Sequence, residues 1–325
     1  MKAIVQNDYG SPEVLELKEI AAPSVRDGDV LLRVVAASIN AGDLFSLRGR
    51  PWLARLAVGF PRPKDHVLGW DAAGVVEAVG KNVTRFRPGD AVFCACDGTL
   101  ADYARAPEDA VARLPAGLDF EQAAAVPTAG LAALKGLRDM GRVRPGQAVL
   151  INGASGGVGT FAVQIARALG AEVTGVCSTR NVELVRELGA HAVIDYTQED
   201  FTRGGRRFDL VLDNAGNRSF ADLRRALTPR GLVLPNSGYG GMGYVLKAFA
   251  LAPFLRQQAG LFAAPPSAAG LEALSALIEA GQVRTVIDRT YPMGEAREAF
   301  RYFEDEHARG KVVVTVAANG KERPR

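Results

Sequence analysis

Short apolar or alternating runs crowd the first third of the chain, at 2–6, 15–20, 29–38, 74–79, 91–95 and 110–114. Such runs are the period-two signal of β-strands. Asp8-Tyr9-Gly10, Arg26-Asp27-Gly28-Asp29 and Pro88-Gly89-Asp90 separate them as turns. Many short strands with close Gly/Pro punctuation predict a barrel-like β domain. Residues 118–125 then begin a helical region, 128–140 keep helical spacing, and Pro145-Gly146 marks a turn. From residue 149 strands and helices alternate. The strands are 149–152, 171–177, 192–195, 210–214 and 231–235, and the helices 160–169, 181–188 and 219–227. That alternation is the signature of a doubly wound parallel sheet. A helix over 272–280, a strand-like run at 283–291, a helix over 294–303 and a last strand at 311–316 follow. The expected class is α/β, a Rossmann-type parallel sheet plus a β domain, and the polar tail 319–325 reads as loose.

Composition narrows the class. A length of 325 residues suits two domains. A hydrophobic content of 48% and a charged content of 23% are those of an ordinary globular chain. The net charge of +3 is too mild to imply a nucleic-acid partner, and the basic cluster 203–207 (RGGRR) reads as a solvated loop. Cys94, Cys96 and Cys177 make no framework of bridges and suit a reducing compartment. The opening MKAIVQ reads as a strand and lacks the apolar core of a signal peptide. The most apolar stretch, 244–255, is interrupted by Lys247 and Pro253 and falls short of a membrane span. A cytoplasmic protein is expected.

The chemistry gathers at 149–159, VLINGASGGVG. An apolar strand runs into a glycine-rich turn, and the turn opens a long helical pattern. Gly153, Gly156 and Gly159 are spaced G-x-x-G-x-x-G, which differs from the usual dinucleotide fingerprint. Glycine permits positive φ and close approach of a pyrophosphate, and the following helix offers free N–H groups and a positive dipole end. Gly/Ala/Ser turns also make ordinary connections; the context decides. Strand, helix and second strand fill about thirty residues, one βαβ unit. An NAD-binding unit places Asp or Glu after that second strand. This chain has Cys177-Ser178-Thr179-Arg180. Hydroxyls and a guanidinium suit a 2′-phosphate, so NADPH is expected over NADH. A plain polar loop is the alternative.

Several stretches carry a family resemblance: 38–43 (SINAGD), 68–80 (LGWDAAGVVEAVG), 86–92 (FRPGDAV), 99–104 (TLADYA), 149–159, 188–200 (LGAHAVIDYTQED) and 310–314 (GKVVV). Together they resemble the medium-chain dehydrogenase/reductase superfamily over nearly the whole chain, in its zinc-free quinone oxidoreductase, or zeta-crystallin-like, branch. The resemblance implies a GroES-like β-barrel catalytic domain from 1–122 and 266–325, and a Rossmann NADPH-binding domain from 123–265. Zinc alcohol dehydrogenases carry Gly-His-Glu where this chain has Gly69-Trp70-Asp71, and a ligand Cys where it has Ser38–Asn40. Tryptophan cannot ligate zinc, so no metal is expected. Cys94 and Cys96 read as core.

The same resemblance implies cofactor contacts. Asn40 would lie near the nicotinamide, Thr128 at the start of the interdomain helix, and Ser155, Gly156, Gly157 and Val158, with Gly153, at the pyrophosphate. Ser178, Thr179 and Arg180 would hold the 2′-phosphate, with Arg180 standing in for the Lys that the family often carries. Tyr196 would lie by the adenosine, and Asn217, Ser237 and Gly238 would close over the ribose and nicotinamide. Asp43 follows Asn40 at the family's N-x-x-D spacing and reads as an anchor by hydrogen bonds rather than a proton carrier. Tyr239 and Tyr244 could each donate to a carbonyl or pack as loop aromatics; both readings stand. The glycine-rich 238–243 reads as a mobile gate. For 245–255, core helix, dimer contact and substrate lid all fit. His66, His191 and His307 are scattered and read as non-catalytic. The expected function is NADPH-dependent reduction of a quinone or α,β-unsaturated carbonyl, with a small hydrophobic substrate in a cleft lined from 40–52, 239–255 and 262–266. The alternatives are a zinc-free alcohol dehydrogenase or carbonyl reductase, and a cofactor-binding protein with a structural or regulatory role.

Overall fold

The structure is a computed structural model and describes residues 1–50, 55, 59–63, 66–236, 258–259, 264–306 and 308–317. The chain divides into two compact units. The first comprises 1–131, 265–281 and 285–325, the second 132–264 and 282–284. The expected boundary at 122/123 therefore moves. Residues 123–131 pack with the first unit, where the N–H of Thr128 donates to Asp71.

In the first unit an antiparallel pair, β1 (Lys2–Gln6) and β2 (Leu15–Glu19), stands beside a seven-stranded sheet. The sheet has β3 (Asp29–Ile39), β4 (Asp71–Val79), β5 (Ala91–Ala95), β6 (Tyr103–Pro107), β7 (Val111–Arg113), β14 (Ile287–Pro292) and β15 (Lys311–Thr315). Its order is β14-β15-β3-β4-β5-β7, with β6 also on β3. β3 is the hub. One edge runs along β4, and the other is shared by β6 at Asp29–Arg33 and β15 at Ala36–Ile39. Its second half, from Val34 to Ile39, is buried at every residue, while Asp29–Arg33 alternate and leave Arg33 exposed. Strand β6 escapes the sequence reading because its buried alternation is carried only by Ala104 and Ala106. Helix Ala41–Arg48 is likewise unforeseen within 40–52. It is short, contains Gly42 and Ser46, and starts and stops by local hydrogen bonds rather than by apolar period. The strand expected at 283–291 begins only at Ile287.

In the second unit β8 (Ala148–Asn152), β9 (Glu172–Cys177), β10 (Ala192–Asp195), β11 (Phe208–Asp213), β12 (Leu227–Pro235) and β13 (Gln258–Ala259) form one parallel sheet. The order β10-β9-β8-β11-β12-β13 is the doubly wound dinucleotide-binding order, which reverses between β8 and β11. Strands β8, β9 and β11 are nearly continuous buried runs, as a sheet covered on both faces requires.

The three turn glycines do different work. Gly153 adopts φ +74°, the left-handed region. Gly159 has no room: an added Cβ would sit 2.0 Å from the Gly153 carbonyl oxygen and 2.7 Å from the Ala154 carbonyl carbon. At Gly156 the added atom would meet only that oxygen, at 3.6 Å. Gly159→Ala should therefore cost about 1–3 kcal/mol of overpacking and lower the thermal midpoint by roughly 2–10 °C, while Gly156→Ala melts close to the parent. Circular dichroism melts of both variants check this, and an unchanged Gly159→Ala midpoint would refute the packing argument.

Candidate functional site

At the end of β3 the chain buries a set of polar side chains. Asp71, first residue of β4, is fully buried. Its Oδ2 accepts from Ser38 Oγ (3.0 Å), Asn40 Nδ2 (3.0 Å) and Lys311 Nζ (3.2 Å). Its Oδ1 accepts from the N–H (2.9 Å) and Oγ1 (2.5 Å) of Thr128. Thr128 stands in the first turn of helix Pro127–Leu134, so the carboxylate also meets the positive end of that helix. Lys311, first residue of β15, is 2% exposed. Its ammonium donates to Asn40 Oδ1 (2.5 Å) as well as to Asp71. A buried charge is tolerated when it is paired and hydrogen-bonded; Asp71 holds five donors, and the Lys311 ammonium donates to Asp71 and Asn40.

Asn40 is thus held from both ends of its amide. It is also the N-cap of helix Ala41–Arg48, and its N–H donates to Asp43 Oδ2 (2.8 Å). Asp43 Oδ1 accepts from the N–H of Gly69 (3.1 Å). Burial pushes the Asp43 carboxyl up to about 7, with Asp71 adding to the rise; the Asn40 amide, Lys311 and the Gly69 amide oppose it. Asp43 is fully buried and both its oxygens accept from backbone amides, an arrangement that can anchor this loop by hydrogen bonds. Trp70 packs on the same helix, since a Cβ on Gly42 would fall 1.8 Å from its ring.

Sequence reading missed Asp71 and Lys311 as site residues. Asp71 was visible only as a replaced zinc-ligand position. Lys311 opens the apolar run KVVVT, and a cation heading a buried strand is the signal that could have flagged it.

The second unit holds the glycine turn. Helix Gly157–Ala168 is preceded by Gly156 at the N-cap, with no side chain capping it. Its first N–H groups, at Gly157 and Val158, are the donors that helix geometry leaves unpaired. Ser155 Oγ and Ser178 Oγ both accept from Asn181 Nδ2 (3.0 and 3.3 Å), which joins the turn to the end of β9. Thr179 and Arg180 begin the short helical turn Thr179–Asn181. Tyr196 follows β10, is 45% exposed, and donates its N–H to the Cys177 carbonyl. At the reversal of strand order, Asn152 Nδ2 donates to Asp213 Oδ1 (2.8 Å) and to Asn217 Oδ1 (3.0 Å). The buried atoms Asp213 Oδ2, Asn214 Nδ2 and Asn181 Oδ1 have no partner among the described residues. A site with free helix amides and orphaned polar atoms fits a dinucleotide.

Ser237, Gly238, Tyr239, Tyr244, the run 245–255, Trp52 and His307 lie outside the described residues. His191 Nδ1 accepts from the Val173 N–H (3.0 Å) and His66 Nδ1 lies 3.2 Å from the Gln6 carbonyl, both structural contacts. Cys94 is buried with its Sγ 3.7 Å from that of Cys96, and Cys177 is also buried. Among the described residues no group of three or more His, Cys, Asp or Glu could hold a metal ion, and no helix is long and apolar enough to cross a membrane.

Comparison with known proteins agrees with both units. Residues 26–116 match the alcohol dehydrogenase GroES-like domain, and residues 188–314 match the family described as zinc-binding dehydrogenase. The chain is 35% identical to the mitochondrial NAD(P)H oxidoreductase RTN4IP1 of Mus musculus, covering 97% of this chain and 89% of that one. It is 32% identical to the chloroplastic NADPH-dependent alkenal/one oxidoreductase of Arabidopsis thaliana, over 97% and 79%. The Escherichia coli quinone oxidoreductase complexed with NADPH superposes with a TM-score of 0.86 at 26% identity, over 97% and 100%. The chain belongs to the medium-chain dehydrogenase/reductase superfamily, in its quinone oxidoreductase branch.

Proposed function

We propose that this oxidoreductase uses NADPH to reduce quinones or α,β-unsaturated carbonyls, without zinc. The observation that carries the reading is the uncapped helix start at Gly156–Gly157, in a parallel sheet of dinucleotide-binding order, with Ser178 and Arg180 after the second strand. A bound dihydronicotinamide supplies the hydride. The chain supplies the grip. Gly157 and Val158 amides and Ser155 face the pyrophosphate. Ser178 and Arg180 favour the 2′-phosphate, and Tyr196 and Asn217 lie along the nucleosides. In the first unit Asn40 addresses the nicotinamide, its amide fixed by Lys311 and Asp71. Thr128 carries a hydroxyl already donated to Asp71, so its remaining capacity is to accept. A cytoplasmic location belongs to this reading, although relatives are named for mitochondrion and chloroplast.

Turnover is the primary test. Purified protein should oxidise NADPH steadily with 1,4-benzoquinone or an alkenal. Cofactor binding without turnover would favour a structural or regulatory role instead, and preference for a simple alcohol or ketone would favour a zinc-free alcohol dehydrogenase. Elemental analysis should find activity with no stoichiometric metal, and activity lost to a chelator and regained with zinc would refute that part. Gly156→Val should retain the fold yet lose NADPH binding at least tenfold, because a branched side chain enters the pyrophosphate approach; unchanged binding would mean that the site is misplaced.

The buried ion pair generates a further expectation. Lys311→Met leaves the Asp71 carboxylate without its cation, which should destabilise by about 3–5 kcal/mol and lower kcat through a loosened Asn40. Lys311→Met with Asp71→Asn should regain much of the stability but not the activity. Melts and steady-state kinetics on the two variants check both halves; a single variant as stable as the parent would refute the pairing.

A further inference from the structure

Beyond the glycine turn and Ser178–Arg180, a carboxylate stands where a phosphate-selective site would avoid one. Asp195 ends β10, in register with Cys177 at the end of β9. The usual rule seeks an acid after β9 itself. Here the acid comes from the neighbouring strand. Its Oδ2 accepts from Thr179 Oγ1 (2.6 Å) and Gln198 Nε2 (3.1 Å). Its Oδ1 accepts from the N–H (3.0 Å) and Oγ1 (2.8 Å) of Thr197. The Thr179 hydroxyl first, and then the Thr197 groups and Gln198, hold the Asp195 carboxyl below the usual carboxylate range. It is a full negative charge at neutral pH.

A hydroxyl has one proton to donate. That of Thr179 goes to Asp195, and that of Thr197, 3.0 Å away, goes to the other oxygen of the same carboxylate. Toward a ligand, Thr179 Oγ1 therefore offers lone pairs. It suits a 2′-hydroxyl, which donates, and not a phosphate, which accepts. Ser178 is the reverse case. Its Oγ already accepts from Asn181, so its proton is left for an anion. A group hydrogen-bonded to Thr179 at ordinary length also lies within roughly 5.5 Å of Asp195 Oδ2. A 2′-phosphate there is repelled; a hydroxyl is not.

We propose that Asp195 is a specificity-determining residue that opposes Ser178 and Arg180 and holds the NADPH preference of this protein to a modest one. The proposal rests on the cofactor reading above and adds a determinant to it. Two contributions of opposite sign meet at one ribose: Ser178 and Arg180 favour the phosphate, and the Thr179–Asp195 pair favours the free hydroxyl. NADH is then a usable second cofactor rather than an excluded one.

The test is a set of Kd titrations with NADPH and NADH on the full chain, for the parent, Asp195→Asn, Asp195→Ala and Arg180→Ala. Asp195→Asn removes the charge and keeps the shape. It should tighten NADPH about three- to tenfold, leave NADH unchanged or weaker, and so raise the NADPH/NADH ratio. Asp195→Ala should raise the ratio too. The gain should shrink between low salt and about 0.5 M salt, because the charge is only half-buried and is screened. A loss of loop structure would move both cofactors together and would not respond to salt in this way. An unchanged ratio in both Asp195 variants overturns the proposal. If Arg180→Ala still weakens NADPH alone, the cofactor reading stands and only the role of Asp195 falls. If Arg180→Ala leaves both cofactors untouched and the Asp195 variants leave the ratio unchanged, both readings fall.

Discussion

The Asp71 carboxylate is the constraint on which the first unit depends. It gathers five donors from three segments: Ser38 and Asn40 at the end of β3, Thr128 at a helix start, and Lys311 at the start of β15. Lys311 lies 240 residues along the chain from Asp71. The pairing pins the last strand of the sheet in register, since β15 can place Lys311 at Asp71 only when Val312 faces Ile39 and Val313 faces Ser38. A one-residue slip would turn Lys311 to the other face of the sheet and leave a buried carboxylate without its cation. The same network fixes Asn40, and Asn40 with Asp43 fixes the start of helix Ala41–Arg48. Fold and candidate site therefore share one set of hydrogen bonds here.

The second unit follows a different logic. Its sheet is apolar on nearly every buried position, and the side-chain links proposed to set its specificity sit at the strand ends. Asn152 and Asp213 end β8 and β11, where the strand order reverses. Asn181 joins the glycine turn to the end of β9, and Asp195 joins the end of β10 to Thr179. Each link is a side chain reaching across one strand spacing. Changing one residue at such an end alters ligand preference with little cost to the core, which is why a parallel sheet carries its binding chemistry there.

Local pattern made much of this legible. Strand runs, helix spacing and the alternation from residue 149 depend on neighbours a few positions apart, so they can be read without knowing the fold. The glycine turn, the missing histidine at Trp70 and the motifs that place the chain in its superfamily are likewise short and contiguous. Elements with weak local signals escaped: β6, patterned only by alanines, and helix Ala41–Arg48, held by its cap more than by its apolar face.

Sequence by itself determined the class of the fold and the family, and singled out the glycine turn proposed to receive a dinucleotide's phosphates. It could not show that Gly159 is closed by backbone while Gly156 is open, because that depends on how tightly the helix start packs on the turn. Nor could it bring Lys311 to Asp71 or Asp195 to Thr179. Those contacts join residues distant in the chain, and only strand order and register decide which of them meet. Only that meeting gave Asp43 its backbone partner at Gly69, and committed the Thr179 hydroxyl proton to Asp195.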